Sequence, residues 1–351
     1  VGTSIVLFAL VAIVGTAIMV PGSEVLTRLV HAPQEAFGPT QDYIQVCGIG
    51  MVFIVFYNVL GAIFRGLGDS RTPLFTVACL FNIAGDLFLV AGLGMGAKGA
   101  AIATVSAQAL SVLISLVVIW KRGLPFAFSL SHVRFFKDCL VPILKVGVPI
   151  ALQDVLVHFS FLFIQIVVNG MGVVESAWVG VAEKVCVFLM LTASAFMQSI
   201  SAFVAQNNGA GLQDRSRKAL SYGIRMALFS GAVMGALALF FGDGLATLFS
   251  RETGVILAAH SYLKAYAIDC LLTAILFCFV GFFNGCGKTV FVMLQGVIGA
   301  FCVRIPVVYL MSALPGATLF HVGLGTPASS LVQIALCLLY YRHLQKKGQL
   351  F

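Results

Sequence analysis

The sequence predicts an all-α, polytopic membrane protein built from two related lobes, and three observations predict it. Of the 351 residues, 60% are hydrophobic and only 10% are charged. With a mean hydropathy of +1.05, a water-soluble fold would have far too little polar surface to cover its core. Apolar stretches near the roughly 20 residues needed to cross a bilayer recur along the whole chain. Finally, residues 26–68 match residues 245–287 at one unbroken offset of 219, sharing Leu26/Leu245, Leu29/Leu248, Tyr43/Tyr262, Ile49/Ile268 and Phe64-x-Gly66-x-Gly68/Phe283-x-Gly285-x-Gly287. Loops accept insertions freely, so a register kept from helix through loop to helix marks a repeat.

Ten membrane helices follow in order. Helices are predicted at 3–20 and 41–64, then at 73–92, which carries Asn82 and Asp86, and at 99–120, which carries Thr104. After a basic segment come 140–168, with Pro149, Asp154 and His158, and the long 173–205, with the adjacent Glu183 and Lys184. The last four are 219–241, 256–283 around Asp269, 289–312 with Arg304 and Pro306, and 318–341 with Pro327. No strand-period alternation long enough for a barrel competes, and backbone that cannot stay unpaired in lipid leaves helices as the solution.

Basic residues orient these spans. One side holds Arg65, Arg71, Lys121, Arg122, Arg134, Lys137, Arg215, Arg217, Lys218, Lys288, Arg342, Lys346 and Lys347, against Arg28, Lys98 and Arg251 on the other. The richer side is the cytoplasmic one, which places the carboxyl terminus in the cytoplasm and the chain in the cell's inner (plasma) membrane. The net charge of +8 sits in short loops and not along a solvated face, so it reads as an orientation signal and not as a nucleic-acid surface. The expected organisation is a first lobe at 1–122, a cytoplasmic linker at 123–139 and a second lobe at 140–351. Two helices of the second lobe precede the partner of 3–20, so a complete first lobe is expected to carry roughly 80 further residues upstream and twelve helices in all. An asymmetric ten-helix protein is the alternative.

Short motifs punctuate the helix ends: Phe64-Arg-Gly-Leu-Gly-Asp-Ser-Arg-Thr-Pro73, Asn82-x-x-x-Asp86, Gly96-x-x-Gly-Ala-Ala101, Gly147-Val-Pro149, Gln206-Asn-Asn-Gly-Ala-Gly211, Phe283-Asn-Gly-Cys-Gly287 and Arg304-x-Pro306. In order and spacing the chain resembles the multidrug and toxic compound extrusion (MATE) family, nearer its DinF-like bacterial branch than its eukaryotic one. The resemblance implies a cation-coupled exporter whose two six-helix lobes open in a V, and it implies that the first two helices of that pattern lie outside this sequence.

Ionisable groups deep in a span cost several kcal/mol unless paired or hydrated, so each is a functional candidate. Asn82 and Asp86 are four apart and share a helix face. Asp86 lies nine residues before Met95 and Thr104 nine after it, so both sit roughly 13 Å below that turn on antiparallel neighbours. Carboxylate, amide carbonyl and hydroxyl are hard oxygen donors for a hard cation, and the carboxylate is equally a proton site. The resemblance matches Asn82, Asp86 and Thr104 to the family's first-lobe cation site, which a further Asp from the missing first helix completes. Polar glue between neighbouring helices is the structural alternative.

Second-lobe candidates for a proton or substrate role are Asp154, His158, Tyr266, Asp269 and Arg304. Asp154, His158, Gln165 and Asn169 form one stripe, expected to face protein or water. Tyr262 and Tyr266 precede Asp269 on one face, and Arg304 is a counter-charge for Asp269 or Asp154; a structural ion pair and a proton relay remain equal readings. Of Glu183 and Lys184, which point about 100° apart, one is expected in the cavity and the other against a neighbouring helix. Phe53, Phe56, Tyr57, Phe188, Met190, Phe196 and Met197 would line an apolar cavity for flat cations, or simply pack.

Other function classes are excluded or disfavoured. No H-E-x-x-H, nucleophile elbow, Walker loop or paired Cys/His set occurs, so neither an enzyme nor an ATPase is predicted, no ATPase subunit is required, and no cofactor or metal beyond a coupling Na+ or H+ is expected. The nine cysteines include no C-x-x-C pair and read as structural thiols. The expected function is secondary active multidrug efflux of organic cations or amphipathic compounds, with membrane lipid as the surrounding partner. A lipid-linked oligosaccharide flippase of related fold is the runner-up, disfavoured because the interior carries more acidic than basic groups. An inactive fragment is the third reading.

Overall fold

The computed structural model describes residues 1–29, 34–69, 74–123, 126, 129–169, 173–348 and 350. Among them every regular element is helical, as backbone that must satisfy itself in lipid requires. The chain divides into two compact units, Val1–Ile143 and Leu144–Phe351.

The first unit runs α1 (Gly2–Met19), α2 (Ser23–Leu29), α3 (Gln34–Ile49), α4 (Met51–Gly66), α5 (Leu74–Asp86), which passes directly into a π-helical stretch at Leu87–Gly92, and α6 (Gly96–Arg122). The helix α7 (Lys137–Asn169) carries the chain into the second unit. There follow α8 (Val173–Gly209), α9 (Gln213–Phe240), α10 (Gly242–Thr247), α11 (Thr253–Gly285), α12 (Thr289–Val297), a second π-helical stretch at Ile298–Arg304, α13 (Ile305–Ser312), α14 (Leu319–Gly323) and α15 (Gly325–Lys347).

Eight helical segments are long and apolar enough to cross a bilayer, which makes this a multi-pass, all-α membrane protein. Two of the ten predicted spans differ in form. The span predicted at 41–64 is a pair, α3 and α4, bent by 59°. The bend falls at Gly50, where an added Cβ would run into the Val105 side chain of α6; only glycine lets the backbone come that close. The span predicted at 73–92 is a shorter apolar helix, Val77–Gly92. Pro73 and the Ser70-Arg71-Thr72 stretch of its motif lie outside the described residues.

Small residues set the helix contacts, as expected where lipid supplies no hydrophobic drive between helices. Gly85 of α5 faces Ala103 of α6, and Gly99 of α6 faces Leu89. In the second unit α11 is buried on nearly every face, because glycines on two neighbouring elements admit it. A Cβ at Gly231 or Gly235 of α9 would lie 2.8 or 2.9 Å from the carbonyl oxygens of Cys270 and Ala267. Toward its far end Phe279, Phe282 and Phe283 pack edge-on with Tyr341 and Phe291, and Phe291 stacks on Tyr340 at 3.8 Å.

Prolines act as local geometry dictates. Pro149 leaves α7 continuous, Pro327 sits in the first turn of α15 where its missing N–H is not needed, and Pro306 follows the wider π turn. That wider turn absorbs the hydrogen bond a proline cannot make. The short helices α2 and α10 begin 219 residues apart, the same offset as the sequence repeat.

Candidate functional site

Two polar clusters interrupt the apolar interior, one in each unit. In the first unit α5 and α6 are antiparallel neighbours joined by a tight turn, and Gly85 against Ala103 brings them close at mid-span. At that level Asn82 Nδ2 donates to Thr104 Oγ1 at 3.2 Å. Asp86, one turn further along α5, is half-buried, and its Oδ1 is enclosed without a hydrogen-bond partner. Tyr43 of α3 lies within its electrostatic reach. The π-helical stretch starts immediately after Asp86, and such widened turns recur where a helix serves a function. Beside the Asn82–Thr104 bond lies a cavity of about 160 Å³ lined by Tyr57, Ala78, Cys79, Asn82, Thr104, Ala107 and Gln108. The Oε1 of Gln108 is also buried without a partner.

The second cluster is built on α11. Asp269 is 4% exposed and its Oδ1 accepts from Ser330 Oγ of α15 at 2.6 Å. Thr273, one turn on, also faces the carboxylate. Arg304, at the end of the second π stretch, is 8% exposed. Its guanidinium donates to Ser160 Oγ of α7 at 3.0 Å and lies 4.5 Å from the centroid of the Phe161 ring. Among the described residues it forms no ion pair with Asp269 or Asp154, although its field reaches Asp269 through the dry interior. Tyr266 Oη is buried without a partner. Adjacent hydroxyls lock the frame: Ser329 Oγ donates to the Gly299 carbonyl at 2.7 Å and Gln333 Nε2 to Ser329 Oγ at 2.9 Å.

The structure thus sets Asn82, and not Asp86 as the spacing predicts, level with Thr104, leaves Asp86 enclosed one turn nearer the joining turn, and gives Asp269 and Arg304 separate hydroxyl partners in place of the expected direct pair. Asp154 and His158 are exposed one turn apart and form no ion pair among the described residues; the side chain of Asn169, last in their stripe, lies outside the described residues. Lys184 lies over the Phe249 ring at 5.9 Å, while Glu183 is half-buried. Of the aromatic and Met candidates, Met190, Phe196 and Met197 pack against the second-unit core, whereas Phe53 and Phe188 are exposed.

Ser160, Ser329, Ser330 and Gln108 went unrecognised in the sequence. A signal existed for two of them: Gln108 follows Thr104 by one helical turn on the same face, and Ser330 sits in mid-span. A further pair was missed near the α9–α10 junction, where His260 Nδ1 lies 2.8 Å from Asp243 Oδ1 and Nε2 lies 3.0 Å from the Leu239 carbonyl oxygen.

A family model described as MatE matches residues 1–90 and 149–310. The "Probable multidrug resistance protein YoeA" of Bacillus subtilis (strain 168) is 27% identical over 334 residues, spanning 93% of this chain and 72% of that protein. The "Multidrug export protein MepA" of Staphylococcus saprophyticus is 26% identical over 306 residues, 84% of this chain and 66% of that one. Among solved structures, an outward-facing multidrug resistance MATE family transporter of the MOP superfamily aligns with a TM-score of 0.90 at 21% identity, covering 98% of this chain and 78% of that one. A MATE in a bent conformation aligns with a TM-score of 0.85 at 22% identity over 98% of this chain and 78% of that one.

Proposed function

Because the chain belongs to the MatE family, we propose that it is a secondary active multidrug exporter, moving organic cations or other amphipathic compounds outward against an inward flow of Na+ or H+. The relatives named for multidrug resistance and export support the substrate class. The observation that carries the coupling site is the enclosed, unpartnered Oδ1 of Asp86 beside the Asn82–Thr104 hydrogen bond. A buried acceptor left without a donor costs about 1–3 kcal/mol, more when charged, and a bound cation or proton removes that cost. Asn82 spends its amide N–H on Thr104, so that bond leaves its carbonyl oxygen uncommitted, and the donor set of carboxylate, amide oxygen and hydroxyl suits a hard monovalent ion.

Coupling follows from linkage. An ion shifts a two-state equilibrium only through unequal affinity for the states, and a carboxylate enclosed in one arrangement and hydrated in another supplies that inequality. Alternating access between lobes then exchanges ion for substrate. The Lys/Arg asymmetry supports a cytoplasmic carboxyl terminus and a location in the inner (plasma) membrane. Neither ATP nor an organic cofactor enters this scheme.

The experiment is Asp86→Asn, assayed by efflux of a fluorescent cation under separate Na+ and pH gradients. A unit charge about 4 Å from the ion contributes roughly 4 kcal/mol at an effective dielectric of about 20. The half-saturating ion concentration should therefore rise by two to three powers of ten, and the gradient that loses its effect identifies the ion. Unchanged ion dependence would remove Asp86 from the coupling site.

A further inference from the structure

His260 lies where three helices of the second unit meet, and both of its ring nitrogens point at acceptors. Nδ1 is 2.8 Å from Asp243 Oδ1, in the first turn of α10, and Nε2 is 3.0 Å from the carbonyl oxygen of Leu239, in the last turn of α9. An ionised carboxylate and a carbonyl only accept, so each nitrogen needs its own N–H, and only the imidazolium has two. A neutral ring donates to one oxygen and sets a lone pair against the other. The ring has little room to turn elsewhere: it is 14% exposed, against 53% for Asp243, and it sits on Gly242, where an added Cβ would run into it. The Leu239 carbonyl belongs to a helix end whose last acceptors have no partner within the helix, and the helix dipole favours a cation there.

From this geometry we propose that His260 is a proton-operated latch: doubly protonated, it pins the end of α9 and the start of α10 to α11, and on losing a proton it lets one of them go. The stabilisation is present at acid pH and is lost as pH rises through the titration of the imidazole. The sequence repeat shows the same place without a latch. At the 219-residue offset His260 corresponds to Gln41 and Asp243 to Glu24. Glu24 pairs within its own helix, with Arg28 at 2.6 Å, and α2 is tied to α3 by an uncharged bond from Gln45 Nε2 to Ser23 Oγ at 3.2 Å. The first unit's tie is therefore indifferent to pH where histidine titrates, and the second unit's is not. The other acidic, basic and histidine side chains on the elements around His260 are Glu183 and Lys184 of α8, Arg251 and Glu252 just before α11, Lys264 one turn along it, and His321 of α14; the last turn of α9 carries none. His321 has the opposite requirement, because its Nδ1 accepts from the Thr318 N–H at 3.2 Å, which a neutral ring can do and an imidazolium cannot. With the sidedness proposed above, the latch lies at the outer end of the helix that carries Asp269, and external acidity stiffens that end of the second unit.

Hydrogen exchange on the full chain in lipid nanodiscs reads the latch, because pinned amides exchange only through local opening. The Leu245 N–H of α10 bonds to the Phe241 carbonyl at 3.0 Å, and its repeat equivalent in α2, the Leu26 N–H, bonds to the Gly22 carbonyl at 2.9 Å. The ratio of their exchange rates, Leu245 over Leu26, cancels the chemical effect of pH. Between about pH 5.5 and about pH 8, the range in which histidine changes charge, this ratio should rise at least threefold in the wild type. His260→Gln puts the first unit's residue in place and should make the ratio independent of pH. Asp243→Asn should keep the ratio low even at the alkaline end: its amide can donate to Nδ1 while Nε2–H donates to Leu239, so a neutral ring satisfies both contacts. A merely structural contact would loosen in that variant instead. A wild-type rise below threefold, an equal rise in His260→Gln, or an alkaline ratio in Asp243→Asn as high as the wild type's each overturns the latch. The wild type and Asp243→Asn decide the matter even where His260→Gln does not fold. Neither Asp86 nor the orientation enters the measurement, so its failure leaves the coupling reading standing.

Discussion

Ser330→Ala tests the second-unit cluster in quantity. Ser330 Oγ donates to Asp269 Oδ1 at 2.6 Å, and both side chains are buried. A hydrogen bond to a charged group contributes about 1.5–3 kcal/mol, against about 0.5–1.5 for a neutral pair, so removing the hydroxyl from an ionised Asp269 costs roughly 2 kcal/mol. A unit of this size loses about 2–4 °C of Tm per kcal/mol, which predicts a fall of about 4–8 °C. The assay is thermal unfolding in detergent, completed as a double-mutant cycle with Asp269→Asn. The cycle should return a coupling of about 2 kcal/mol, since each single change removes the same bond. A melting point within about 1 °C of wild type, or strictly additive changes, would refute the view that Ser330 holds Asp269 as a carboxylate.

Three further outcomes follow from named contacts. Thr104→Val keeps the shape of the side chain and deletes the acceptor of Asn82 Nδ2; losing one ligand of about 1–1.5 kcal/mol should raise the half-saturating ion concentration about tenfold, read by ion titration of efflux. His260→Leu removes the contacts to Asp243 and to the Leu239 carbonyl and should cost about 2 kcal/mol in the same melt, with Asp243→Asn costing less because the Leu239 contact survives. Gly281→Val pushes a Cβ into the backbone of Met197, and overpacking of about 1–3 kcal/mol should lower the yield of monodisperse protein. Gly244→Ala, with open space around it, should leave that yield unchanged.

Much of the fold was legible because lipid imposes one rule on the backbone. Apolar length marked where helices run, and the 219-residue register agrees with the paired short helices α2 and α10. The bend at Gly50 was not legible, because it depends on how near Val105 of another helix comes. Neither were the two π stretches after Asp86 and before Pro306, since a widened turn leaves the hydrophobic pattern intact. Within the candidate site, helical spacing put Asp86 level with Thr104, whereas the structure sets Asn82 against Thr104 and Asp86 one turn nearer the joining turn, because the π-helical stretch Leu87–Gly92 rises less per residue than the α-helix assumed by the spacing. The expected Asp269–Arg304 pair was not met, because hydroxyls of Ser330 and Ser160, on helices far away in sequence, took up each charge.

By itself, the order of residues determined that this chain lives in a membrane, that it is helical, and that a few acidic side chains, Asp86 and Asp269 among them, fall within its spans, all consequences of transfer energies that act one segment at a time. Which partner each buried polar atom received was decided only in three dimensions, where glycine contacts set how near two helices come and so which oxygens fall within hydrogen-bond distance. Asp86 was left with an unfilled acceptor and Asp269 was given Ser330. Two carboxylates alike in sequence setting differ because short-range bonds depend on neighbours that linear spacing does not specify.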